Sequence, residues 1–196
     1  MKTSITFAGL LSGLMLLLAG CDTVSEMVAS PPPQPPCPPS SVLDDAATVT
    51  RFREGPGRDF IDIVAEGKIS GYGGGCHYDF DMKTGEALLT VEVAVEFEAQ
   101  RGSADKDRKA MFDYFISVAD PEQNILSKGL FNVVIDFPEN RTRRNFTDNN
   151  PPVVLEIKLK PEQAGKDFHI FIGFQLSESE LEFNRRQREI GSGVRK

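Results

Sequence analysis

Few side chains in this 196-residue chain could do chemistry, and their spacing argues against most of it. His77 and His169 are the only histidines, and no serine or cysteine sits in a nucleophile motif. His169 falls on the face opposite Phe168, Ile170, Ile172 and Phe174, the position of a surface group rather than a general base. Gly71-Tyr72-Gly73-Gly74-Gly75 has the glycines of a phosphate cradle, but such cradles sit between a strand and a helix N-terminus. Here a strand containing Cys76 follows, so a flexible loop is expected. Asp79 to Glu86 begins like a calcium-binding loop, yet Lys83 stands where an oxygen is needed and Gly85 comes one place late. A hairpin turned at Thr84-Gly85 is the better reading. Asn145 to Asn150 offers oxygens to a hard cation, but loops are built from the same residues. No catalytic group, metal site or cofactor is expected.

Two charged features stand out. Glu92, Glu96 and Glu98 line one face of the strongest strand pattern, and Arg185, Arg186 and Arg188 open a basic tail running to Lys196. Both read first as solvated surfaces. As functional groups they are the candidate partner-binding residues, the glutamates for a basic partner.

The cysteines lead further. Lys2 precedes an apolar run from Ile5 to Leu18, and small residues follow, the layout of an export signal. Leu18-Ala19-Gly20-Cys21 resembles the lipobox of bacterial lipoproteins. The resemblance implies that Cys21 carries diacylglycerol on sulfur, becomes the mature N-terminus and is acylated on nitrogen, palmitate-type chains together anchoring the protein firmly. Asp22 resembles an inner-membrane retention signal, which slightly favours that membrane; the outer membrane stays the alternative. Cys37 and Cys76 are then left in an oxidising compartment, where an even pair reads as one disulfide. Two free thiols, or a metal site with His77 beside them, are the competing readings.

The net charge of −7 argues against nucleic acid and against lying flat on anionic lipid. No second apolar run approaches the roughly 18–20 residues that span a membrane.

The elements that must position these residues are strands. Residues 1–20 form the leader and 21–42 a tether, whose Pro31 to Pro39 run favours a stiff, extended spacer. From 43 to 176 apolar residues alternate: Leu89, Val91, Val93, Val95 and Phe97, then Phe112 to Val118, Phe131 to Phe137, Val153 to Leu159 and Phe168 to Phe174. Less regular candidates are Thr48 to Arg53, Phe60 to Lys68 and Cys76 to Phe80. Turn residues separate them, among them Asn149-Asn150-Pro151-Pro152. The expectation is all-β: a single antiparallel β-sandwich of immunoglobulin or fibronectin size, with a closed barrel as alternative. At 177–196 the period changes to a helix, with Ser177 and Glu180 spaced as a capping box and Gly191 as its end.

Arg51 to Asp59 and Asp120 to Lys128 resemble stretches of bacterial envelope lipoproteins of uncharacterised function. That resemblance brings no activity with it. The expected role is a membrane-anchored, periplasm-facing, non-catalytic module that binds an envelope protein. A carrier of a small apolar or lipidic ligand between the sheets is the alternative, and an enzyme comes third.

Overall fold

The computed structural model describes residues 34–193, with side chains to Gly191. The lipobox, Cys21, Asp22 and the start of the proline run lie outside the described residues. Among the described residues eight strands, β1 Ser40–Val42, β2 Thr48–Phe52, β3 Ile63–Phe80, β4 Ala87–Arg101, β5 Lys109–Ala119, β6 Ile125–Asp136, β7 Arg143–Leu159 and β8 His169–Phe174, precede one α-helix, α1 Glu178–Gly193. They form two four-stranded sheets, ordered β1-β8-β5-β6 and β2-β3-β4-β7. Every pairing is antiparallel except the short parallel one of β1 with β8. The all-β sandwich expected from the alternation is the fold observed.

The alternating residues explain the two layers. Leu89, Val91, Val93, Val95 and Phe97 of β4 are buried, as are Phe112, Tyr114, Ile116 and Val118 of β5 and Ile170, Ile172 and Phe174 of β8. Phe97 meets Tyr114 at 5.1 Å and Phe174 at 5.8 Å between ring centroids, and Phe112 meets Phe174 at 5.5 Å. These rings fill the space between the sheets. Truncating any one of them to alanine would cost about 3–5 kcal/mol.

Two stretches read as loops are strands. Gly71 to Gly75 lies inside β3, a continuous 18-residue strand. Its main chain pairs residue by residue with β4, from Gly71 opposite Glu96 to Gly75 opposite Glu92. The ladder needs only backbone groups, so glycines do not break it when the neighbouring strand is long enough. They permit an irregularity instead. The register shifts between Ile69 and Gly71, and Gly74 has a φ of +148° with its backbone pressed against Glu92. A Cβ there would overlap the Glu92 carbonyl oxygen.

Asn145 to Pro152 belongs to β7. Val95 faces Asp148 while Val93 faces Val153, so residues 149–152 bulge out opposite Ala94. Pro151 and Pro152 have no N–H for the ladder, which a sheet tolerates at its edge, where β7 lies. The Asn150–Pro151 peptide is cis.

Ordered structure reaches back into the stretch read as tether. Pro38 is buried, the Ile170 N–H donates to Pro39 O at 2.9 Å, and Ser40–Val42 is already β1. At the other end the capping box forms: the Ser177 N–H donates to Glu180 Oε2 at 2.8 Å, and the Glu180 N–H to Ser177 Oγ at 3.4 Å. The helix passes through Gly191 rather than ending at it.

Candidate functional site

Cys37 and Cys76 are joined, with 5.8 Å between their Cα atoms. The bond belongs to a clasp. Tyr72, Cys76 and Tyr78 share one face of β3, and each holds the segment leading into β1. The Tyr72 hydroxyl donates to Ser40 O, and the Tyr78 hydroxyl donates to Pro36 O at 2.7 Å while accepting the Gly165 N–H at 2.9 Å. A strand brings alternate residues to one face, so three anchors can engage one extended segment.

The histidines lie on the outer faces of different sheets. His77 is exposed, with Nε2 at 3.1 Å from Asp79 Oδ1. His169 Nε2 lies 2.8 Å from Ser41 Oγ, and its ring stacks on Phe171 at 4.4 Å. Asp81 receives the Lys83 amide at 2.8 Å inside the hairpin between β3 and β4, and that bond holds its carboxyl below the usual carboxylate range. The residues that begin like a calcium loop thus build a turn. Among the described residues no three His, Cys, Asp or Glu side chains are grouped to hold a metal.

Glu92, Glu96 and Glu98 are exposed on the outer face of the β2-β3-β4-β7 sheet. Among the described residues none of the three enters an ion pair. The basic residues behave differently. Arg185 Nε lies 3.1 Å from Asp45 Oδ2, Arg188 also pairs with Asp45, and Arg186 reaches Glu182 at 3.5 Å. Arg185 and Arg188 therefore help to dock α1. The helix is held further by Phe183, edge-on to Phe52 at 5.4 Å, and by Asn184 Nδ2, which donates to Asp45 O at 3.0 Å and Thr48 O at 2.8 Å. Arg51 and Glu180 add an ion pair at 2.5 Å. Asp45 carried no motif, and its partners lie about 140 residues away, so nothing local could find it.

Docking the helix creates a groove of about 1130 Å³ on the outer face of the same sheet. Glu66, Lys68 and Glu98 lie on its floor, with Phe60, Phe183 and Arg188 along its sides. It lies outside the sandwich, away from the packed space between the sheets where the alternative reading places a carried apolar ligand.

The other outer face, that of β1-β8-β5-β6, carries several exposed apolar side chains. Met111 and Leu130 are each 63% exposed and Val134 is 43% exposed, with Phe115 and Phe171 half-buried among them. Met111 pairs with Val134 and Phe115 with Leu130 across the ladder. Between these pairs Asn132 Nδ2 donates to Asp113 Oδ1 at 2.9 Å, and Lys128 Nζ stands 4.2 Å over the Phe115 ring. The alternation that marks β5 and β6 as strands picks out only their buried faces. Pairing side by side is what gathers the apolar exceptions into one surface.

No family model matches the chain, and no curated protein does. Among solved structures it is similar to the variable (V) domain of the AgI/II polypeptide BspA of Streptococcus agalactiae, at 15% identity over 68% of this chain and 75% of that one. The TM-score is 0.18, too low to carry any argument.

Proposed function

We propose that the protein is a lipid-anchored, periplasm-facing lipoprotein of the bacterial envelope, acting as a non-catalytic module that docks a protein partner. Anchoring at Cys21 rests on the lipobox resemblance, and the oxidising compartment it implies agrees with the Cys37–Cys76 bond. The observation that carries the docking role is the apolar outer face around Met111, Phe115, Leu130 and Val134. Soluble surfaces seldom gather such residues unless something covers them. Glu92, Glu96 and Glu98, exposed and in no ion pair among the described residues, support a second docking surface, for a basic partner, on the opposite face.

Metabolic labelling with palmitate tests the anchor: Cys21→Ser should abolish it, and label retained in that variant would refute lipidation there. A photo-crosslinker placed at Met111, and separately at Glu96, tests the docking face in intact cells. A dominant protein neighbour at Met111 is expected. Capture from Glu96 alone would move the interface to the acidic stripe, and capture from neither would overturn the docking role.

A further inference from the structure

The four edge strands of the sandwich are not equally protected. Unpaired edges invite another strand, and proteins blunt them by shortening, covering or interrupting them. Strand β1 has only 3 residues, β2 is covered by α1 through Phe52, Arg51 and Thr48 O, and β7 is broken by its Pro151-Pro152 bulge. Strand β6 has such protection only toward its ends, with Lys128 near its start and Arg144 across Asp136 O, and none between them. It has 12 residues and no proline, and its one register irregularity lies at its start, beside Leu126.

Its main chain is presented outward at alternate residues. The Phe137 N–H turns to Arg108 O on the β5 side, whereas Asp136 O turns the other way and accepts from Arg144 at 2.7 Å. By alternation Lys128, Leu130, Asn132 and Val134 direct their N–H and C=O groups to the open edge. The same residues project onto the apolar outer face. Read along the strand they are Lys128, Leu130, Asn132, Val134 and Asp136: basic, apolar, amide, apolar, acidic. Reversed, that order is its own complement.

We propose that the partner covering this face is a second copy of the chain, joined by antiparallel β6–β6 pairing about Asn132. The inference rests on the docking role of the apolar face and names its occupant. In this register Asn132 faces Asn132 of the second copy, and Leu130 faces Val134 twice. Lys128 comes opposite Asp136 at both ends. The two sheets become one eight-stranded sheet, and the apolar strip of each copy continues into the other. Arg144 occupies the Asp136 carbonyl, so the hydrogen-bonded ladder ends at the Leu130–Val134 pairs. Lys128 Nζ, which donates to Gln175 Oε1 at 2.9 Å in the single chain, exchanges that partner for Asp136 of the second copy. Lys109, 3.4 Å from Asp136 Oδ1, shares that carboxylate from its own strand. Strand addition of this kind draws affinity from main-chain bonds and register from side chains.

The test uses the full-length lipoprotein in intact cells. Asn132→Cys, placed on the two-fold axis, should give a disulfide-linked homodimer under mild oxidation, and Glu156→Cys on β7 should not. Lys128→Asp and Asp136→Lys should each weaken self-association about tenfold by setting like charges opposite one another. The double variant Lys128→Asp/Asp136→Lys should restore it, a rescue that a folding defect would not produce. Monomer throughout, or a double variant no better than the singles, overturns the pairing. If Asn132→Cys instead joins a different envelope protein, the self-pairing fails while the docking face stands. If it joins nothing, and Met111 captures nothing either, both fail.

Discussion

Tyr114 and Asp148 are joined across the sandwich: the Tyr114 hydroxyl, at the end of a fully buried side chain on β5, donates to Asp148 Oδ2 on β7 at 2.7 Å. Asp148 stands beside the proline bulge, at the last register position before residues 149–152 leave the ladder. One polar contact thus ties the centre of one sheet to the irregular edge of the other.

Tyr114→Phe should cost about 1 kcal/mol, the net worth of one hydrogen bond whose acceptor can still reach water. Burial, with Asp148 next to it, pushes the phenol above its ordinary range. The folded state therefore holds this proton more tightly than the unfolded chain. Its contribution is complete below the unfolded tyrosine value of about 10 and is lost as pH rises beyond it. Denaturant midpoints measured through the alkaline range should fall in the native protein, and less steeply in Tyr114→Phe.

Gly74 and Gly75 are neighbours that should respond in opposite ways. Gly74→Ala places a Cβ on the Glu92 carbonyl at a φ of +148°, and should destabilise by roughly 1–3 kcal/mol or more. Gly75 has nothing within 4 Å of its Cβ position, so Gly75→Ala should be neutral or gain up to about 1 kcal/mol. Thermal melts of the two variants decide it. Equal losses would mean that β3 is not paired with β4 in this register.

Removing the disulfide with Cys37→Ser/Cys76→Ser opens a loop closed across 39 residues of separation. The chain-entropy model puts the loss at about 3–4 kcal/mol. Tyr72 and Tyr78 still hold the segment, so β1 should stay paired with β8. Amide exchange at Ile170 and Ile172 should show protection that is reduced but not abolished.

Asn184→Ala should loosen α1 without unfolding the sandwich. It leaves Asp45 O and Thr48 O without their donor in a nearly buried site, a loss of about 1–3 kcal/mol. Hydrogen exchange should speed up over residues 178–193 and leave β5 and β8 unchanged.

Strand identity was legible along the chain because alternation is local: Leu89 to Phe97 and Phe168 to Phe174 announce their buried faces residue by residue. The Ser177–Glu180 cap was legible for the same reason, being complete within four positions. Pairing of Cys37 with Cys76 followed from counting once Cys21 was set aside. Glycine and proline misled, since both were read as turn formers, and neither can be judged without its neighbouring strand. The long partner β4 carries Gly71 to Gly75 within a ladder, and the edge position of β7 gives Pro151 and Pro152 room to bulge. Strand order is non-local in the same way. No run of sequence says that β6 ends a sheet, that Asp45 receives two arginines, or that Met111 and Val134 lie side by side. Those facts depend on which surfaces meet when the two layers close over one core, a choice that the whole chain makes together.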